Sequence, residues 1–295
     1  MLVFINVYNI IKNMKEFKDK VAVITGAANG IGYGIAEKFT KEGIKVVLAD
    51  IESKALSEAE DKLKQINSNV LGILTDVAKI DDIKVLAKIC IDKYGKVDIL
   101  CNNAGVGFAG KSSTTIWESS LNDWKWTFDV NIWGVINGIN VFVPIMLKQG
   151  TECFIINTAS MASLITPAIG TSIYSITKFA VIAISESLKH ELAFVDSKIK
   201  VFALSPGFVQ TNLTQSDRNR PKELNNNVRT NPKLEPIIDA YRQSIENGIT
   251  PEFVAEKLYQ TLLNDDKFYV PTDRHRFLRS NVKKRMEGII QDLLK

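Results

Sequence analysis

A buried strand, a glycine-rich turn and a helix follow one another near the start of the chain, and this order constrains the fold more than any other feature. The apolar run Val21–Ile24 predicts the strand, and Thr25–Gly32 (TGAANGIG) predicts the turn into a helical pattern. Gly26 permits a tight turn, Gly30 lets the backbone approach a phosphate, and Gly32 allows close packing of helix on strand. The helix N-terminus offers N–H groups to a pyrophosphate. In this context the glycine pattern predicts a dinucleotide-binding turn.

The second predicted strand, at 45–49, ends at Asp50. A carboxylate there is expected to accept hydrogen bonds from the hydroxyls of an adenosine ribose and to repel a 2′-phosphate. Neither the glycine turn nor Ile51–Ser53 contains a lysine or arginine that would bind such a phosphate, so NAD is favoured over NADP. Without the glycine turn beside it, Asp50 would be interpreted as a helix cap or turn residue.

Strands and helices alternate through the rest of the chain. The further strands predicted from apolar runs are 70–74, 97–101, 154–156, 199–204 and 268–270. The helices predicted between them are about 54–65, 80–94, 121–148, 174–192 and 251–263. Such alternation predicts a parallel sheet with right-handed crossovers. We therefore expect one doubly wound, Rossmann-like α/β domain with about seven strands and helices on both faces.

The domain is expected to cover residues 15–295, a length that suits one domain. Residues 1–14 are interpreted as a dispensable extension or a misassigned start, because the apolar opening is too short to span a bilayer; an interfacial anchor is the alternative. The segment 212–248 is rich in Asn, Arg, Lys and Pro, which predicts a substrate lid or disorder. An amphipathic helical tail is expected from about 274.

Composition argues against several classes of function. The net charge of +4 is small and spread along the chain, so no nucleic-acid surface is expected. Two histidines, His190 and His275, lie far apart without other ligands at suitable spacing, so no metal site is expected. Three cysteines in a chain without an export signal indicate buried thiols and a reducing, cytoplasmic location.

Four polar residues are candidates for catalysis. Tyr174 and Lys178 are four positions apart, on one face of a predicted helix, and the cation is expected to lower the pKa of the phenol. Ser160 follows a strand and is placed to hold the oxygen that exchanges the proton. Asn131, an amide among apolar residues, needs a partner: it either bonds to backbone or holds a water behind Lys178. Taken alone, Y-x-x-x-K also fits ordinary helix-surface residues.

Eight motifs occur together, and with them the chain resembles the short-chain dehydrogenase/reductase family, in its short single-domain form, over about residues 15–270. The motifs, in order, are T-G-x-x-x-G-I-G at 25–32, Asp50, Asp76-Val77, N-N-A-G at 102–105, Asn131, Ser160, Y-x-x-x-K at 174–178 and P-G-x-x-x-T at 206–211. Their joint occurrence favours the proton-transfer interpretation of Tyr174 and Lys178. Two departures affect the substrate wall: one extra residue between Ser160 and Tyr174, and Ser163 where glycine is common.

The resemblance implies an NAD-dependent oxidoreductase that interconverts a secondary alcohol and a ketone. It makes Tyr174 the general acid/base, Ser160 the ligand of the substrate oxygen, Lys178 the residue that binds the nicotinamide ribose, and Asn131 the residue that positions a relay water. The cofactor contacts that it implies are Gly26, Asn29, Gly30, Ile31, Gly32, Asp50, Ile51, Asp76, Val77, Asn103, Ala104, Gly105, Tyr174, Lys178, Pro206, Gly207, Val209 and Thr211. It also implies a homotetramer or dimer formed through the helices at 121–148 and 173–194.

The substrate is expected to be a small, mostly apolar alcohol or ketone. The candidate pocket residues are Val106, Phe108, Met161, Leu164 and Phe208. Arg218, Arg220 and Arg229 are interpreted as solvated side chains rather than as ligands of an acidic group. Two alternatives stay open: an NADPH-dependent ketone reductase, and a non-catalytic nucleotide-binding regulatory protein on the same fold.

Overall fold

A seven-stranded sheet, parallel throughout, forms the centre of the molecule. The computed structural model describes residues 17–107, 114–225, 231–264, 267–272 and 276–294. The strands are β1 (Val21–Thr25), β2 (Lys45–Asp50), β3 (Val70–Leu74), β4 (Ile99–Asn102), β5 (Cys153–Thr158), β6 (Ile199–Ser205) and β7 (Tyr269–Pro271). Their order in the sheet is β3-β2-β1-β4-β5-β6-β7, and each neighbouring pair is parallel. The predicted doubly wound, Rossmann-like fold is confirmed.

Helices cover both faces of the sheet. They are α1 (Gly30–Lys41), α2 (Ser53–Lys64), α3 (Ile80–Tyr94), α4 (Leu121–Phe128), α5 (Gly134–Gln149), α6 (Ser172–Phe194), α7 (Glu235–Glu246), α8 (Pro251–Asn264) and α9 (Arg276–Leu293). Within β1, Ala22 and Ile24 pack into one core with α1, α2 and α8, whereas Val21 and Val23 pack into a second with α3, α5 and α6. This alternation follows from the two-residue period of a strand, and it makes both faces apolar.

The predicted helix at 121–148 is interrupted. One π-helical turn, Asp129–Trp133, joins α4 to α5 and contains Asn131. Among the described residues, Leu121–Gln149 is also the stretch with the length and hydropathy of a membrane helix, a test that core helices of soluble proteins pass as well. Its buried side chains Phe142 and Met146 belong to the core of the sheet, which accounts for the apolar composition.

The described part of the 212–248 segment contains two 3₁₀ helices, Asn212–Asn219 and Lys222–Leu224, followed by α7. The chain then enters α8 as the sequence predicts, with the Thr250 hydroxyl accepting a hydrogen bond from Phe253 N at 3.3 Å. The proposed N-terminal extension lies outside the described residues.

Candidate functional site

The predicted site residues lie along one cleft at the carboxyl edge of the sheet. The order of the strands reverses between β1 and β4, and a crevice at such a point is where doubly wound folds bind ligands. The cleft has a volume of about 380 Å³, within the range of small-molecule sites. All of the predicted cofactor contacts line it except Gly32, and so do Ser160, Tyr174 and Lys178.

The glycine turn has the close packing that its sequence predicts. Gly26 and Gly30 have φ angles of +62° and +56°, in the left-handed region that favours glycine. A Cβ atom on Gly26 would lie 2.8 Å from the Cα of Ala104. A Cβ on Gly32 would lie 2.1 Å from the carbonyl oxygen of Gly26, so Gly32 allows the helix to pack against the turn. Its predicted role in packing agrees with this position, but it does not line the cleft.

The Asn102–Gly105 loop is fixed against the glycine turn by side-chain hydrogen bonds. The Thr25 hydroxyl accepts from Asn103 N at 2.9 Å and from Ala104 N at 3.0 Å, and Asn103 Nδ2 donates to Thr25 O at 3.0 Å. Asn102 Nδ2 donates to Asn157 Oδ1 at 2.9 Å, joining the ends of β4 and β5. These amides thus tie neighbouring strand ends together.

Asp50 occupies the predicted place at the end of β2, and it also bonds to backbone. Its carboxylate accepts from Ala28 N at 2.9 Å and from Glu52 N at 3.0 Å. Burial raises the pKa of Asp50, while the two backbone hydrogen bonds act in the opposite direction. Asp50 is thus both a cleft residue and a turn residue, and its role toward a ribose stays a prediction.

An arginine that sequence analysis regarded as solvated contacts Glu52, two positions after Asp50. Arg218, from the first 3₁₀ helix, lines the cleft and contacts Glu52, with Nη2 donating to Glu52 Oε1 at 2.6 Å and Nε to the same oxygen at 3.2 Å. Asn219 Nδ2 donates to that oxygen at 2.9 Å. The hydrogen bond from Arg218 lowers the pKa of Glu52. Because 166 positions separate Arg218 from Glu52, no local pattern predicts their contact.

Ser160, Tyr174 and Lys178 come together on the other side of the cleft. Ser160 ends the loop after β5, and its hydroxyl is hydrogen bonded to the Tyr174 phenol. Lys178 follows Tyr174 by one turn of α6, and its Nζ lies 5.7 Å from the centroid of the Tyr174 ring. The ammonium donates to Thr158 O at 2.8 Å, which holds it against the end of β5.

Burial controls the protonation of both Tyr174 and Lys178. It raises the pKa of Tyr174 to about 12, although the hydrogen bond from Ser160 lowers it; the charge of Tyr241 adds to the increase. Burial also lowers the pKa of Lys178 to about 8. The net pKa of Tyr174 is thus raised in spite of the neighbouring Lys178, because desolvation penalises the phenolate and the ammonium alike; the predicted lowering by Lys178 stays a prediction.

Asn131 lies behind the cleft rather than in its wall. It is fully buried; its Oδ1 accepts from Val106 N at 2.8 Å, and its Nδ2 donates to Val106 O and to the Thr177 hydroxyl, each at 3.0 Å. The bonds to backbone are thus present, and their partner is Val106 in the loop after β4. Asn131 thereby connects this loop to α6, one residue before Lys178. The role in holding a water behind Lys178 stays a prediction.

Comparisons with known proteins agree with the geometry. The profile of the short chain dehydrogenase family matches residues 20–222. The chain belongs to this family. It is accordingly an oxidoreductase, and the resemblance inferred from the motifs is confirmed.

Three related proteins are similar to this short-chain dehydrogenase. A crystal structure from Burkholderia phymatum, in complex with NAD, has a TM-score of 0.87 and 37% identity, with 95% of this chain and 97% of the other covered. A CLA biosynthesis dehydrogenase/reductase of Lactiplantibacillus plantarum is 31% identical, with 95% and 96% covered. The 1-deoxy-11-beta-hydroxypentalenate dehydrogenase of Streptomyces exfoliatus is 33% identical, with 68% and 71% covered.

The apolar lining of the dehydrogenase cleft draws on elements that sequence analysis did not assign to it. Predicted pocket residues Val106, Met161 and Phe208 line it. The lining residues that were not predicted include Trp126 of α4, Ile165 and Ala168, Tyr241 and Ile245 of α7, and Leu278 of α9. On α7, the apolar residues at 238, 241 and 245 repeat with helical spacing, a signal that could have indicated this buried face.

Two further pocket predictions have different outcomes. Leu164 does not line the cleft; it packs against the small cluster that contains Val135 and Val181. Phe108 lies outside the described residues. The Phe208 and Tyr241 rings meet edge to face with centroids 5.2 Å apart, so α7 is packed onto the loop after β6.

Arg220 is buried in this dehydrogenase, and its interpretation as a solvated residue is wrong. Its Nη2 donates to Asp123 Oδ1 at 2.8 Å, and the two side chains are 6% and 7% exposed. The guanidinium also lies 4.2 Å from the centroid of the Trp126 ring. Arg220 therefore anchors the 212–224 segment to the start of α4. Arg229 lies outside the described residues.

Proposed function

We propose that this protein is an NAD-dependent oxidoreductase that interconverts a secondary alcohol and a ketone. The observation that carries the proposal is the meeting of Ser160, Tyr174 and Lys178 in the cleft that also contains the glycine turn and Asp50. NAD in the related Burkholderia phymatum structure and a related dehydrogenase of 1-deoxy-11-beta-hydroxypentalenate support it.

The chain's own geometry suits a dinucleotide. The backbone at Gly26 and Gly30 is open toward the cleft and would take the pyrophosphate, with Asp50 accepting from the adenosine ribose. A Cβ on Gly105 would lie 3.4 Å from Lys178 Nζ, so glycine keeps the space in front of the ammonium open for a ribose. We assign the adenine side to Asp76 and Val77, and the nicotinamide carboxamide to the loop at 206–211. When bound, NAD supplies the hydride acceptor.

Tyr174 would act as the general acid and base. With its pKa raised to about 12, the phenol is protonated at neutral pH, which is the form that donates a proton to a ketone oxygen. Ser160 would hold that oxygen through its hydroxyl. In the oxidative direction Tyr174 must be a phenolate, and a protonated Lys178 favours that form. Asn131 would position the relay water through its place between the loop after β4 and α6.

The substrate that this cleft suits is apolar and of moderate size. Trp126, Met161, Phe208 and Leu278 are apolar residues that line the same cleft as Tyr174. The 212–248 segment would serve as the lid over it. Contacts that support this role are the hydrogen bond from Gly107 N to the Ser216 hydroxyl at 3.0 Å and the positions of Leu213, Pro221, Leu224, Tyr241 and Ile245 in the cleft wall.

Assembly as a homotetramer or dimer is part of the proposal. Large apolar side chains are exposed on the helices expected at the interface: Leu121, Trp133, Leu147 and Phe194. We also propose a cytoplasmic location and a dispensable N-terminal extension. Size-exclusion chromatography with light scattering tests the assembly, and truncation to Met14 with retained activity tests the extension.

Replacement of Tyr174 tests the chemistry. Wild type is first assayed with NAD against aliphatic, cyclic and aryl secondary alcohols. Tyr174→Phe should then lower kcat by about 10²–10⁴-fold, the range that a positioned acid/base contributes, while NADH binds within about twofold of wild type. Tyr241→Phe is the matched control, because it removes a second phenol from the same cleft. Equal loss of NADH binding in Tyr174→Phe, or equal loss of kcat in both variants, would contradict the assignment.

A further inference from the structure

The adenosine end of the cleft holds Asp50, Glu52 and Arg218, in addition to Asp76 on the adenine side. Asp50 and Glu52 are carboxylates at the end of β2, and Arg218 reaches them from the first 3₁₀ helix of the 212–248 segment. Among the described residues that line the cleft, Arg218 and Lys178 are the cationic ones, and Lys178 lies at the opposite end beside Tyr174. Arg218 is thus the cation nearest to where a 2′-phosphate would lie.

The hydrogen-bond donors of Arg218 are directed at protein acceptors. Nε and Nη2 donate to the Glu52 carboxylate, with the shortest contact at 2.6 Å. Nη1 donates to Asn212 O at 3.2 Å and to Gln215 O at 3.0 Å. The guanidinium is therefore neutralised by Glu52 and oriented by its own helix. An arginine held in this way is not available as a bidentate ligand for phosphate.

Glu52 is also connected directly to the ribose site. Its backbone N–H donates to Asp50 Oδ1 at 3.0 Å, so the Arg218–Glu52 pair lies one short turn from the carboxylate that faces the ribose. With Glu52 ionised and paired, a 2′-phosphate would meet two carboxylates and a cation whose charge is already balanced. Such a phosphate carries close to two negative charges at neutral pH.

We propose that Glu52 is a second determinant of NAD preference and that it acts through Arg218. Glu52 binds the guanidinium and keeps it from a 2′-phosphate, so that Asp50 is not the sole barrier to NADP. Loss of the Glu52 carboxylate converts Arg218 into a phosphate ligand. The inference rests on the dinucleotide site of the proposed function. It adds to that site the pair of Glu52 and Arg218, and Arg218 comes from the 212–248 segment.

A thermodynamic cycle tests the pair. Dissociation constants for NADH and NADPH are measured by fluorescence titration for wild type, Glu52→Gln, Arg218→Ala and the double variant. Glu52→Gln should bind NADPH at least tenfold more tightly than wild type, with NADH within threefold. Adding Arg218→Ala should remove that gain. Glu256→Gln is the matched control, because it breaks an ion pair between Glu256 of α8 and Lys38 of α1, neither of which lines the cleft. It should change neither constant.

Two results would overturn the inference. The first is that Glu52→Gln binds NADPH no more tightly than wild type. The second is that the gain in NADPH affinity persists in the double variant, which would mean that Glu52 acts only by repelling the 2′-phosphate and not through Arg218. Binding is measured without turnover, so the two proposals fail separately. A protein that binds NADH but oxidises no alcohol would contradict the proposed function and leave this cycle interpretable. Thermal melting of each variant verifies that it is folded.

Discussion

Lys178 has an unusual position for a lysine, because it is 4% exposed and its ammonium donates to a backbone carbonyl, Thr158 O. Burial of an ammonium favours its neutral form, and here burial lowers the pKa of Lys178 to about 8, from 10.5. Lys178 thus opposes folding while it is charged. The same desolvation keeps Tyr174 protonated.

This conflict predicts a pH dependence of stability. Between pH 8 and 10.5 the unfolded chain holds a proton on Lys178 that the folded protein has released, so the free energy of unfolding rises with pH in that window. Relative to Lys178→Met, wild type should gain about 1 kcal/mol per pH unit there. Below pH 8 both states are protonated and the difference should be constant. Urea unfolding of both proteins at pH 7.0, 8.5 and 9.5 measures this difference in the free energy of unfolding.

Comparison with Lys178→Met cancels other groups that titrate in the same range. Several tyrosines with raised pKa, including Tyr259 and Tyr269, are present in both proteins and lower stability only above pH 10. Lys84→Met, at a lysine whose side chain is 61% exposed, should give no such slope. A stability difference that is flat or falls with pH would show that Lys178 stays charged in the folded protein.

At the scale of elements, the parts of the site that sequence analysis predicted are local in the chain. The glycine turn, Asp50 and the Tyr174–Lys178 pair each depend on residues close in sequence and on strand ends that meet at one edge of the sheet. Contacts of the 212–224 segment were not predictable, because Arg218 and Arg220 find their carboxylates 166 and 97 positions away. The polar composition of this segment is typical of a solvated loop. In the structure the ion pairs of Arg218 and Arg220 anchor it.

The Arg220–Asp123 ion pair should therefore be important for stability. Arg220→Ala leaves the Asp123 carboxylate buried without its cation. It also removes the guanidinium that packs on one face of the Trp126 ring. Breaking a buried pair in this way costs about 3–5 kcal/mol. Arg242→Ala is the control: it removes an arginine paired with Asp239 where both side chains are at least 38% exposed, and such pairs contribute about 0–1 kcal/mol. Urea unfolding that gives equal losses for the two variants would contradict the anchoring role.

Across the whole molecule, the cleft collects residues from nearly the full length of the chain. Along the chain, the residues that line the cleft start with Gly26 in the glycine turn, continue through α4 and α6, and end with Leu278 on α9. On α9, Leu278 is 5% exposed, whereas Leu293 near the other end is 80% exposed. Arg285, between them, lies 4.8 Å from the centroid of the Phe179 ring on α6. The tail helix is thus attached to the site at its beginning and increasingly solvated toward its end.

This gradient predicts opposite outcomes for two matched substitutions on one helix. Leu278→Ala removes an apolar side chain from the wall of the cleft. If the substrate packs against it, the lost apolar contact should lower kcat/KM by about 10–200-fold. The loss should appear with whichever apolar secondary alcohol wild type oxidises. NADH affinity should stay within twofold, because Leu278 belongs to none of the motifs assigned to the dinucleotide. Leu293→Ala should change neither quantity. Steady-state kinetics and NADH titration of both variants measure these effects. A normal kcat/KM in Leu278→Ala, or an equal loss of kcat/KM in Leu293→Ala, would contradict the role of the tail helix in completing the substrate pocket.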